Sequence, residues 1–290
     1  MTATILAFDP FEPAHYEFFQ RGLVVATLAG ALCGLVGVYV VLRSMSYIGH
    51  GLSHAVFGGA AVSAVMGTSY FLGAGLWGVL AALTIGRISR RRVIGADAAI
   101  GVVTTASFAF GLAIQSRSNT VSRSLDTVLF GNVLAVLDRD VVAVLIVGLV
   151  VVTVVVGLQR ELLFVTFDPE VAAVSGVNVA RIDAVLMLAL SATVLVSVRV
   201  IGALLISAML VLPAGTARML TNSIGRMLWL SPVLGAVFGL VGMYASWYAD
   251  VPSGAMITLT GTTVFALVYV SSDLNQRRSI ANLDRHPSIS

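Results

Sequence analysis

Long apolar runs separated by short polar breaks set the pattern of this chain. Nine such runs fall near residues 20–42, 52–67, 70–88, 97–115, 140–158, 182–198, 201–219, 228–248 and 254–271. A membrane-spanning helix needs roughly 20 apolar residues, with a range of about 17–25. The second run is short, and the pair at 182–219 has almost no connecting loop. The pattern predicts an all-α, polytopic membrane protein with nine transmembrane helices, or eight if 51–67 is a broken or re-entrant segment. The runs lack the strict alternation of a membrane β-barrel. Residues 1–290 read as one membrane domain, with a core at about 20–271 and a polar tail at 272–290 that is expected to fray. Two connections are long: Gln115–Leu137, rich in Ser, Thr and Asn, and Gln159–Arg181.

Composition supports the membrane reading. The chain is 58% hydrophobic and 11% charged, with a mean hydropathy of +0.98, whereas soluble domains carry about 25% charged residues. All 17 basic residues are arginine. Without lysine, a phosphate-binding loop of the form G-x-x-x-x-G-K-[ST] cannot exist, so any ATP-driven work needs an ATPase on another chain. Sorting the arginines by span end puts twelve on the side of Arg43, Arg87, Arg160, Arg181 and Arg218, and five on the side of Arg21, Arg117, Arg123, Arg139 and Arg199. The first side is therefore cytoplasmic, with the amino terminus outside and the tail inside. The net charge of +3 reflects this sidedness and does not point to nucleic acid. Residues 1–20 hold Asp9, Glu12 and Glu17 and no basic residue, so they do not read as a signal peptide. Their aromatic residues suit an interfacial segment. Cys33 reads as a packing residue, and His15 and His286 as solvated.

The segment Met45–Gly59, MSYIGHGLSHAVFGG, carries the other two histidines, His50 and His54. Residues four apart share a helix face, so both imidazoles can point at one cation. Ionisable groups at membrane depth are costly and usually functional. The competing reading has both rings at a membrane boundary, hydrogen-bonded to carbonyls. Gly49, Gly51, Gly58 and Gly59 permit close backbone approach but weaken the case for an unbroken helix. A simple span count places the pair near the cytoplasmic end of the second span.

Two further segments stand out. In FDPEVAAVSGV, Asp168 is a candidate cap, Pro169 a first helical residue and Glu170 a first-turn acid. Ala172 and Ala173 follow, and Gly176 stops a helix of about two turns on the cytoplasmic face. Its small residues would let another protein's groove approach. In VRVIGALLISAMLVLPAGTAR, Pro213 removes a backbone hydrogen bond and is expected to kink the span. Gly202, Ala203, Ser207, Ala208, Ala214 and Gly215 form a small-residue face suited to packing or gating. Asp183 and Arg199 flank one span and read as boundary residues, and Asn132 as a vestibule residue.

These three segments, RSMSYIGHGLSHAVFGG, FDPEVAAVSGV and GALLISAMLVLPAGTAR, together with LDTVLFGNVLAV at Leu125–Val136, resemble the permease subunits of metal-ion ABC importers of the zinc, manganese and iron type. The resemblance runs from about Arg21 to Val270. It implies a homodimer of permeases, two cytoplasmic ATP-binding-cassette ATPases and an extracytoplasmic metal-binding protein, with Zn2+ or Mn2+ as the transported ion and no permanently bound cofactor. It makes Asp168–Gly176 the coupling helix. His54 matches the family's S-H-A histidine, while His50 stands where the family usually carries an aspartate. Imidazole suits zinc and carboxylate suits manganese, so this departure favours zinc. Two rival functions have weaker support. An intramembrane metallopeptidase needs a general base, yet Gly51 follows His50 and no span holds a glutamate. An ion-coupled secondary transporter needs mid-span carboxylates, and none is evident.

Overall fold

The computed structural model describes residues 12–90, 95–117, 131, 136–203 and 205–285. A short 3-10 turn (Glu12–His15) precedes α1 (Glu17–Leu42), α2 (Ile48–Met66), α3 (Tyr70–Ser89), α4 (Ala96–Arg117) and α5 (Asp138–Gly157). Then come α6 (Gln159–Phe167), α7 (Pro169–Val174), α8 (Val179–Ile201), α9 (Ile206–Leu220), α10 (Ile224–Ala249) and α11 (Ser253–Arg285). No strand occurs among the described residues. With no water in the bilayer core, helices satisfy every backbone group internally, and the apolar runs fold accordingly.

Among the described residues seven helices are long and apolar enough to cross a membrane: α1, α3, α4, α5, α8, α10 and α11. Two expected spans fall short of that standard. Helix α9 has only 15 residues, and α2 carries the two histidines among its glycines. Helix α2 is nonetheless unbroken and begins at Ile48, four residues before the expected position 52. The expected span at 201–219 divides instead. Gly202 adopts φ +87°, a conformation that side chains resist, and α9 starts only at Ile206. The tail also departs from expectation, because α11 continues as helix to Arg285.

Helix α1 is the most buried span, surrounded by α5, α8, α9 and α10. Its contact with α10 is backbone against backbone. A Cβ on Gly235 would overlap the Gly30 carbonyl, one on Gly30 the Gly235 carbonyl, and one on Gly239 the Ala26 carbonyl. The Ser231 hydroxyl donates to the Gly34 carbonyl at 2.7 Å, and Pro232 sits beside it inside α10. Helices α2, α3 and α4 form a second group, joined to the first through α8 and α9. Cys33 is a buried packing residue, its thiol 3.7 Å from the Ser197 hydroxyl.

Ion pairs mark both ends of the bundle. At the outer end Arg21 of α1 meets Asp138 of α5 at 2.7 Å. At the cytoplasmic end Arg43, just past α1, pairs with Asp183 of α8 at 2.6 Å and donates to the Thr166 hydroxyl of α6 at 3.0 Å. Arg90 approaches the other Asp183 oxygen at 3.8 Å. Asp183 thus stands at the end of its span as expected, but as a buried, doubly flanked carboxylate that joins three helices. Arg199's side chain, Asn132, His286 and most of Leu125–Val136 lie outside the described residues.

Candidate functional site

Successive residues of a helix are offset by about 100° around its axis, and the neighbours of α2 fix its faces. Gly49 abuts Ser207 and Leu210 of α9, while Gly51 abuts Ile100 and Thr104 of α4 and Gly58 abuts Ser107 of the same helix. Gly59 faces α3, where a Cβ would overlap the Gly73 carbonyl. His50 and His54 project from the arc between α9 and α4, the one sector of α2 that these contacts leave open. The glycines that weakened the helix expectation are the positions where three neighbours come close, and that packing stabilises the helix.

The two rings meet edge to face, with centroids 4.4 Å apart and planes at 79°. His54 also packs edge-on against Phe108 of α4, at 4.9 Å. Its Nδ1 is buried and has no hydrogen-bond partner, which leaves a ring nitrogen available as a ligand. Both histidines are partly exposed. Among the described residues no third His, Cys, Asp or Glu joins them. The pair therefore offers two ring-nitrogen ligands in an apolar setting, an incomplete shell for a tetrahedral ion.

Ser53, between the histidines, makes a tertiary contact that the sequence reading missed. Its buried hydroxyl reaches the Ala203 carbonyl at 2.8 Å and the His50 carbonyl at 2.9 Å. It ties the histidine turn of α2 to the break between α8 and α9. Its place beside His54 was the available clue. Gly202 is thereby linked to the pair, whereas Pro213, buried inside α9, lies farther along that helix.

The depth of the pair follows from helix geometry. Gly37 of α1 lies against the Leu210 carbonyl, and Gly49 of α2 against the Ser207 backbone and the tip of the Leu210 side chain. His54 thus lies inside the bundle, roughly 9 Å along α2 from the start of that helix at Ile48. The early start of α2 and the tight contact with α9 raise the site above the expected boundary position.

The second candidate region forms as its sequence suggests. Asp168 caps α7 by accepting from the Val171 N–H at 2.9 Å, and Pro169 is the first helical residue. Glu170 lies in the first turn, and Gly176 turns the chain with φ +87°. One assignment changes. Ala172 is fully buried against its own chain, so it is not the residue a docking groove would meet. The outward face is Val171, 47% exposed, and Val174, 86% exposed. In a short helix the small residue turns inward because only it fits beneath.

Long apolar helices, a histidine pair among them and a short capped helix at one end make a multi-pass membrane protein. The chain belongs to the ABC 3 transport family, whose profile matches residues 15–272. It is 38% identical over 257 residues to the manganese transport system membrane protein MntC of Halalkalibacterium halodurans, covering 89% of this chain and 88% of that one. It is 34% identical to the chelated iron transport system membrane protein YfeC of Yersinia pestis, over 88% of this chain and 86% of that one. Among solved structures, PsaBC from Streptococcus pneumoniae in complex with Fab superposes with a TM-score of 0.79 at 33% identity, covering 88% and 92% of the two chains. The protein is accordingly a multi-pass protein of the bacterial plasma membrane.

Proposed function

We propose that this ABC-type permease imports a divalent transition metal, working as two copies with separate cytoplasmic ATPases and an extracytoplasmic binding protein that delivers the ion. The observation that carries the reading is the His50–His54 pair, its rings 4.4 Å apart on the arc of α2 between α9 and α4. Two nitrogens do not complete a metal shell. Water, or the same pair from a second copy across a two-fold axis, supplies the rest, and an incomplete shell lets the ion leave again. Helix α7, docked on the ATPase through Val171 and Val174, passes its motion to α6 and α8. The absence of lysine, and with it of a phosphate-binding loop, fits ATP hydrolysis on another chain.

Relatives named for manganese and for iron support a first-row divalent cargo. The imidazole at position 50 favours zinc within that group, since nitrogen ligands suit zinc and carboxylates suit manganese. The test is uptake of zinc and of manganese into vesicles holding the chain together with its ATPase. The expected result is ATP-dependent uptake, with zinc carried at least as well as manganese. Uptake driven by a proton or sodium gradient without ATP would establish the secondary-transporter alternative. ATP-dependent uptake of manganese alone would remove zinc as cargo.

A further inference from the structure

We propose that the groove between α3 and the start of α8 binds an anionic phospholipid, its headgroup held by Arg87, Arg90 and Arg181. At the cytoplasmic end these three arginines line a cavity of about 520 Å³ whose wall includes Asn178, Leu80 and Leu83 and no acidic residue. Arg90 already contacts Asp183 at 3.8 Å and the Ala180 carbonyl at 3.4 Å, which holds its guanidinium at the rim. Arg87 and Arg181 form no ion pair among the described residues. The cavity therefore carries excess positive charge in guanidinium forks that match phosphate oxygens.

The rest of the groove says what kind of phosphate fits. Leu72, Leu76, Leu80, Leu83 and Arg87 follow one another at spacings of four, four, three and four along α3, so they form one stripe. The four leucines are 62%, 66%, 60% and 36% exposed, an open apolar ladder that ends on an arginine. From Leu76 to Arg87 the rise is about 16 Å, close to the depth of one leaflet in a roughly 30 Å core. An acyl chain laid along the leucines places its phosphate among the arginines. An acidic segment of a cytoplasmic protein would reach the arginines but not the leucines above them. Basic pockets between spans on the cytoplasmic side are a known form of headgroup site. The proposal does not depend on the identity of the transported ion.

The experiment uses the chain purified with its ATPase and exchanged into phosphatidylglycerol or phosphatidylcholine nanodiscs, with retained lipid counted by native mass spectrometry after transfer to detergent. Wild type is expected to retain phosphatidylglycerol over phosphatidylcholine. Arg87→Gln with Arg181→Gln is expected to lower that retention about thirtyfold, with helix content and ATPase co-purification unchanged. Leu80→Asp, which leaves the arginines in place, is expected to lower it independently. Equal retention of the two lipids by wild type, or unchanged retention in both variants, would overturn the proposal. Loss of the ATPase with lipid retention intact would also overturn it and make the arginines a protein-docking surface. Displacement of phosphatidylglycerol by inorganic phosphate at equal concentration would reduce the groove to a simple anion site.

Discussion

His50 and His54 are ordinary residue types in an unusual place, and their placement makes them testable. Truncating either ring leaves one nitrogen ligand, too few to replace an ion's lost hydration. His50→Ala and His54→Ala are each expected to reduce metal uptake at least tenfold while leaving protein levels in the membrane unchanged. Full zinc uptake by the double variant would sink the metal-site reading. His50→Asp restores an oxygen ligand and should keep transport while raising the manganese-to-zinc uptake ratio; an unaltered ratio would remove the reason for favouring zinc. Ser53 acts at one remove, through its bond to the Ala203 carbonyl. Ser53→Ala leaves that buried carbonyl without its hydroxyl donor, at a cost of about 1 kcal/mol. The expected result is a lower melting temperature with some metal uptake retained.

Helices α7, α8 and α9 carry the consequences of single backbone choices. The coupling surface of α7 is tested at its most exposed residue, because a large side chain at the buried Ala172 would disrupt this chain's own packing before it touched a partner. Val174→Arg is expected to leave the permease folded and to uncouple uptake from ATP hydrolysis, read as lost uptake together with lost ATPase co-purification. Normal values of both would remove α7 from the coupling role. At the α8–α9 break, Gly202→Ala forces a side chain into an extended positive-φ conformation (φ 87°, ψ 152°) that is essentially reserved for glycine, a cost of roughly 1–3 kcal/mol. The expected readout is a lower melting temperature together with slower uptake, since the break holds Ser53. Pro213→Ala returns a missing donor to α9 and is expected to slow transport with near-normal expression; unchanged transport would assign Pro213 to packing alone.

Across the whole molecule, two devices hold separate helices in register: the backbone contact of α1 with α10 and the Arg43–Asp183–Arg90 cluster. Gly235→Leu would drive a side chain into the Gly30 carbonyl and is expected to abolish stable expression. The ion cluster differs because its groups are charged and almost wholly out of water, with side-chain exposures of 13% for Arg43 and 11% for Asp183. Removing one partner of such a pair leaves an uncompensated buried charge, a loss of roughly 3–5 kcal/mol. Asp183→Asn is therefore expected to lower the thermal midpoint sharply in detergent. Because the cluster joins α1, α8 and the end of α3 beside α7, the same variant is also expected to weaken the link between ATP hydrolysis and uptake. A wild-type melting curve would show that the cluster contributes nothing.

The sequence alone determined the all-helical membrane architecture, because apolar run length and backbone satisfaction in lipid admit little else. It also located most of the long helices to within a few residues, the exceptions being the divided run at 201–219 and the helical tail to Arg285. The cap of α7, with Asp168 and Pro169, was legible because capping is local, and the spacing of His50 and His54 because a helix period is local. What tertiary structure decided were matters of neighbours. Hydropathy saw α2 as a short and doubtful span, since its histidines and glycines lower the apolar average. The packing of α3, α4 and α9 against those glycines accompanies a continuous helix and carries the histidines into the bundle. Ala172 looked like an outward small residue until the fold turned it inward. Asp183 looked like a boundary charge, but its partner Arg43 lies 140 residues away in the chain. The bond from Ser53 to Ala203 spans 150 residues. Periodicity, capping and burial preference act over a few residues and can be read along the chain. Ion pairing and close backbone approach act through space, and only the folded chain shows which residues meet.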